Sequence, residues 1–182
     1  MTFAYSLDDY IDSVKEYMYK NNIVCPSVVA HSFGGRITIK SASQNANLYN
    51  KIVLTGCAGL KPKQSINKLL KKTYFNFLKR FYPKEKLTRL YSKDYLMLDD
   101  VMKQSFIKIV NEYLDLSIEK IQNQTLIIFG KNDRETPLYM ARRLNKGIKN
   151  SKLTIYENAG HFCFLDCPNT FNLEVREFLL SK

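Results

Sequence analysis

The stretch Ser27-Val28-Val29-Ala30-His31-Ser32-Phe33-Gly34-Gly35 changes its period halfway along. Ser27–Ala30 is a brief apolar run with two β-branched residues, which suits a buried strand. Pro26 marks its start, because proline has no N–H to give to a central ladder. From Gly34 to Gln44 the spacing is helical, so the order is strand, tight turn, helix. Ala30 and Gly34, two places either side of Ser32, are small enough for strand and helix to cross closely. A serine at such a turn sits in strained backbone with its hydroxyl exposed, ahead of a helix N-terminus that favours negative charge. The N–H of the next residue, Phe33, is placed to donate to a developing oxyanion. Alone, the pentapeptide also fits a surface serine in a glycine-rich turn.

Working outward, Lys51–Thr55, Thr125–Phe129 and Leu153–Tyr156 are further short runs rich in Ile, Leu and Val, the pattern of buried parallel strands. Ser6 stands three residues before Asp9, a capping-box arrangement. Leu7, Tyr10, Ile11, Val14 and Tyr17-Met18 follow at helical spacing as far as Asn21-Asn22. Pro137–Lys146 and Pro168–Leu180 each open on proline at a plausible first helical position. This alternation predicts an α/β fold, a mostly parallel sheet with flanking helices. Leu60–Gln124 interrupts it. Ile66, Leu69, Leu70, Tyr74, Phe77, Leu78 and Phe81 share one helical face, and a second helical region covers Leu98–Leu114. The expected organisation is a core of residues 1–59 and 125–182 with an inserted helical cap at 60–124.

Two loops add chemistry to Ser32. Gly130-Lys131-Asn132-Asp133 follows the third strand, and Ala159-Gly160-His161 follows the fourth. Both lie at the carboxyl edge of the sheet, where open α/β folds gather ligands and reacting groups. A serine nucleophile needs a base, and the base needs a carboxylate to fix its tautomer. The chain has two histidines. His31 adjoins Ser32, and neighbouring side chains at a sharp turn diverge, so His31 reads as elbow packing or a supporting donor. His161 is left as the base and Asp133 as its carboxylate. Glu135 looks like a first-turn acid of the following helix. The expected catalytic residues are Ser32, Asp133 and His161, with Phe33 at the oxyanion.

The composition is 45% hydrophobic and 25% charged, which is ordinary for a globular protein and excludes disorder along the whole chain. No run of about 18 apolar residues exists, so no spanning helix is expected. Asp8, Asp9, Asp12 and Glu16 occupy the opening stretch, which does not have the cationic start of a leader. The expected location is the cytoplasm. Cys25, Cys57, Cys163 and Cys167 form no Cys-x-x-Cys pair and read as thiols in a reducing compartment. Of the net charge of +11, the stretch Lys61–Lys93 carries +10, from eleven Lys or Arg residues and Glu85. That patch suits weak contact with an anionic membrane. No nucleic-acid motif accompanies it, so nucleic acid is not an expected partner.

On Ala30-His31-Ser32-Phe33-Gly34-Gly35, Gly130-Lys131-Asn132-Asp133-Arg134-Glu135-Thr136-Pro137 and Asn158-Ala159-Gly160-His161-Phe162-Cys163-Phe164-Leu165-Asp166, the chain resembles α/β-hydrolase-fold proteins of the capped esterase, lipase and C–C hydrolase type. The resemblance runs from about Ser6 to Leu180. It implies a Ser-His-Asp hydrolase of esters or similarly activated acyl bonds, working through an acyl-enzyme without metal or organic cofactor. It also implies a small-molecule substrate with an apolar acyl or alcohol part, facing cap aromatics such as Tyr74, Phe75, Phe77, Phe81 and Tyr82. In that family a β-hairpin and further strands precede the helix that starts here at Ser6, and a loop there supplies a second oxyanion donor. Their absence from this sequence keeps a second expectation open: an impaired fragment or a non-catalytic interaction protein on the same fold. No obligate protein partner is expected unless another chain completes the sheet.

Overall fold

Four strands form one parallel sheet in the order β1-β2-β3-β4: β1 Val28–His31, β2 Lys51–Thr55, β3 Gln124–Gly130 and β4 Ser151–Tyr156. The computed structural model describes residues 3–63 and 97–181. The helical face Ile66–Phe81, the aromatic group from Tyr74 to Tyr82 and all of the basic stretch except Lys61 and Lys63 lie outside the described residues. The chain divides into two compact units. One comprises Ser6–Lys61 and Glu112–Lys182, the other Met1–Tyr5 and Pro62–Asn111.

In the larger unit, β2 and β3 alternate their apolar side chains between two faces, as the two-residue period of a strand requires. Ile52, Leu54, Ile127 and Phe129 join Leu7, Ile11, Ile39, Leu144 and Ile148 in one core. These partners come from α1 (Leu7–Lys20), α2 (Phe33–Gln44), α4 (Leu138–Gly147) and the residue after it. Val53, Leu126 and Ile128 point the other way and meet Tyr156, Cys163 and Phe171, the last from α6 (Pro168–Leu180). With both faces covered by helices, the strands need no polar side, which is why they read as continuous apolar runs.

The helices start and stop for local reasons. Ser6 caps α1 through a full capping box: its hydroxyl accepts from the Asp9 N–H while the Asp9 carboxylate accepts from the Ser6 N–H. Pro168 opens α6, where a missing N–H costs nothing. Lys51, at the foot of β2, is buried, and its ammonium donates to the Phe178 and Ser181 carbonyls at the end of α6. A cation at a helix C-terminus meets the negative end of the dipole. A short helix, α5 (Cys163–Asp166), follows His161. Glu112–Gln122 belongs to the larger unit, where Arg36 donates to the Glu112 carbonyl at 2.8 Å.

In the smaller unit, α3 (Asp100–Val110) is capped by Asp99, whose carboxylate accepts the Met102 N–H at 2.7 Å. The Tyr5 N–H donates to Ser105 Oγ at 2.9 Å within the same unit. No described helix is long and apolar enough to cross a membrane.

Candidate active site

Ser32 stands between β1 and α2 with φ 48° and ψ −109°. A non-glycine residue on the positive-φ side is strained, and it persists only where its surroundings over-determine it. Here they do. The Ser32 N–H donates to the Thr55 carbonyl at 3.1 Å, extending the β1–β2 ladder by one rung. The Ser32 carbonyl accepts from the Gly35 N–H at 3.1 Å and the Ala58 N–H at 3.2 Å. Phe33 is the first residue of α2, so its N–H belongs to the first-turn donors that have no acceptor within the helix.

Glycine makes the crossing behind Ser32 feasible. A Cβ built on Gly35 would lie 2.2 Å from Cys57 Sγ, so only hydrogen fits between α2 and the segment after β2. Gly56 has φ +52°, and a Cβ there would meet His31 Cε1 at 3.0 Å and His161 Nδ1 at 3.1 Å.

The loops after β3 and β4 are laced together. The Lys131 N–H donates to the Tyr156 carbonyl and the Asn132 N–H to the Ala159 carbonyl, both at 2.9 Å. Asp133 thereby reaches His161: its Oδ2 lies 2.9 Å from His161 Nδ1. An ionised carboxylate only accepts, so Nδ1 carries the proton and Nε2 presents its lone pair. Thr136 Oγ1 donates to Asp133 Oδ2 at 2.7 Å, while the N–H groups of Glu135 and Thr136 donate to Oδ1 at 2.9 and 2.8 Å. Burial pushes the Asp133 carboxyl up, but the hydrogen bonds from His161 and Thr136 outweigh it and hold it below the ordinary carboxylate value. Asp133 and His161 are buried, at 5% and 9% exposure.

His31 packs behind this pair. Its Nδ1–H donates to the Thr55 carbonyl at 3.0 Å, and its ring centroid lies 4.6 Å from that of His161. Phe162 and Phe164 flank it. Burial, followed by the neighbouring His161, lowers its pKa and keeps it neutral. Elbow packing is the role expected for His31, and these contacts fit it. Glu135 differs from expectation. Helix α4 begins three residues beyond it, so Glu135 is not a first-turn acid; its Oε2 stands 3.3 Å from His161 Nε2. Thr136 carries no motif signal of its own, whereas Asp133 sets up an Asx turn in which the N–H of Glu135, two residues on, donates to its Oδ1. Of the four thiols, Cys57 and Cys163 are buried, Cys167 is half-buried and Cys25 is exposed.

The parallel sheet, the strained serine on the strand-to-helix turn and the paired acid and histidine at the carboxyl edge define the α/β-hydrolase fold. Within it, the chain belongs to the family described as BAAT / acyl-CoA thioester hydrolase C terminal, whose family model matches residues 9–177. It is 25% identical over 199 residues to AB hydrolase superfamily protein YisY of Bacillus subtilis (strain 168), across 96% of this chain and 74% of that protein. It is 42% identical over 60 residues to 2-hydroxy-6-oxononadienedioate/2-hydroxy-6-oxononatrienedioate hydrolase 1 of Pseudomonas putida, a match that spans 33% of this chain and 21% of that protein. The esterase EaEST from Exiguobacterium antarcticum superposes with a TM-score of 0.73 at 22% identity, over 98% of this chain and 75% of that one, a likeness of fold.

Proposed function

We propose that the protein is a serine hydrolase that cleaves an ester, thioester or similarly activated acyl bond through Ser32, His161 and Asp133. The observation that carries this is the pairing of a strained Ser32 at the strand-to-helix turn with the 2.9 Å contact from Asp133 Oδ2 to His161 Nδ1. His161 Nε2 takes the Ser32 proton as Oγ bonds to the substrate carbonyl carbon, and the Phe33 N–H donates to the oxyanion that forms. His161 then gives that proton to the leaving atom as its bond to carbon breaks. Water attacks the acyl-enzyme with His161 as base, and Ser32 is released. Asp133 holds the imidazole in one tautomer and stabilises its cation.

The family description supports thioesters among the substrates, and all of the named relatives are hydrolases. A small molecule with an apolar part suits Phe33 and Phe162, which are part-exposed beside the elbow and the base. The chain spans 21% of the length of the Pseudomonas putida hydrolase, 74% of YisY and 75% of EaEST. A reducing compartment such as the cytoplasm suits four cysteines that form no disulfide with one another.

The test is covalent labelling by a fluorophosphonate probe, beside Ser32→Ala. Labelling of the wild type alone is expected, because such probes report a serine already activated by its base. Soluble, folded wild type that takes no label would turn the assignment towards a non-catalytic protein on the same fold.

A further inference from the structure

We infer that Glu135 determines specificity, selecting against substrates whose leaving group carries a negative charge close to the reacting atom. The inference rests on Ser32 and His161 acting as nucleophile and base. His161 Nε2 must deliver a proton to the leaving atom, so whatever stands at Nε2 faces the leaving group. Glu135 Oε2 stands there, 3.3 Å away, while Asp133 holds the opposite nitrogen.

The two acids differ in a way that suits different tasks. The Asp133 side chain is fully buried and accepts bonds from His161, Thr136 and two backbone N–H groups, so it is fixed. Glu135 has its backbone tied to Asp133 by its N–H, but its side chain is 68% exposed. It therefore brings a charge to His161 Nε2 without being locked in place, and it can yield space to a leaving group while keeping its sign.

Among the described residues, no Lys or Arg forms an ion pair with Glu135. Lys131 is committed to Glu157 at 2.5 Å, and exposed Arg134 is the other cation of the loop. The net charge of +11 favours anions at long range, but it is screened over about 8 Å at physiological salt. Within that distance the contacting carboxylate prevails, since like charges juxtaposed at an interface strongly disfavour the wrong partner. The ligand class follows: esters or thioesters whose leaving atom has no anionic group within about a Debye length, with remoter charges tolerated.

The experiment compares kcat/KM for phenyl acetate and 3-carboxyphenyl acetate in wild type, Glu135→Gln and Glu135→Lys, with fluorophosphonate labelling of each. Comparing the charged-to-neutral ratio between the three proteins cancels the esters' intrinsic difference in reactivity. The ratio of charged to neutral ester is expected to rise on the order of tenfold in Glu135→Gln and further in Glu135→Lys. The wild-type preference for the neutral ester should shrink as salt is raised, and the Glu135→Gln ratio should stay flat. An unchanged ratio across the three proteins, with labelling intact, overturns the role of Glu135 alone. Wild type that neither labels nor hydrolyses either ester overturns the Ser32 assignment, and this inference with it.

Discussion

Ser32 and Asp133 show how single residues are held in costly states by several cheap contacts. Three backbone hydrogen bonds hold Ser32 at φ 48°. Asp133 is buried as an anion because the His161 ring, the Thr136 hydroxyl and two backbone N–H groups all donate to it. Asp133→Asn should therefore act in two separable ways. It leaves the size of the side chain almost unchanged but presents an amide to His161 Nδ1, favouring the wrong tautomer, so kcat should fall by about 10⁴-fold. Removing the charge should also cost about 1–3 kcal/mol of stability at neutral pH. The pH dependence has a definite sign. The folded-state pKa is depressed, so this stabilisation is complete well above the ordinary carboxylate value of 3.8 and is lost as pH falls through the lowered folded value. Urea unfolding of wild type and Asp133→Asn from pH 7 downward should show two curves whose separation narrows once the pH falls below 3.8. Curves that stay parallel would mean that Asp133 is not held as an anion by its neighbours.

Elements place these residues, and how much of them the sequence reveals depends on which force shapes each one. β2 matches Lys51–Thr55 and α6 matches Pro168–Leu180 because hydrophobic burial and proline chemistry leave direct marks in the chain. The Ser6 capping box is equally legible, since three positions define it. Other features depend on contacts between distant segments and leave no local mark. Pro137 caps α4 instead of entering it, and α5 forms where the loop after His161 folds back to let the Asp166 carboxylate accept the Gly160 N–H. The approach of Glu135 to His161 Nε2 depends on how two loops meet, which spacing along the chain does not encode. Gly35 is legible as a small residue in the elbow, but its partner Cys57 comes from the other side of β2. Gly35→Ala should destabilise the core by about 1–3 kcal/mol through overpacking. Cys57→Ala removes the Sγ that lies 2.2 Å from the new Cβ but leaves the Cys57 Cβ contact at 2.7 Å, so it should recover part of the loss and not all of it. A double-mutant cycle followed by urea unfolding reads that coupling directly. Strict additivity of the two changes would place the strain elsewhere.

At the scale of the whole molecule, an exposed sheet edge and an uneven charge oppose each other. Among the described residues β1 pairs with β2 alone, leaving its other side as the end of the sheet. Val29 on that strand is 50% exposed, and a groove of about 360 Å³ lined by Val14, Met18, Ile23, Val28 and Ile37 runs beside it. A flat apolar edge invites another strand, and proteins commonly blunt such edges with lysine. The net charge of +11 pushes copies apart, but only across the screening length, which falls from about 10 Å at 0.1 M salt to about 3 Å at 1 M. Edge pairing acts at contact and gains from the hydrophobic effect, which added salt does not screen away. Raising salt should therefore remove the repulsion while leaving the edge attraction, so the wild type should self-associate more in 1 M than in 0.1 M sodium chloride. Val29→Lys places a charge on the edge itself and, at a half-exposed site, should change stability by no more than about 0.5 kcal/mol. Sedimentation velocity at matched concentrations should show salt-dependent association in wild type and little in the variant. If Val29→Lys associates as the wild type does, the sticky surface lies away from β1, and its edge is already protected.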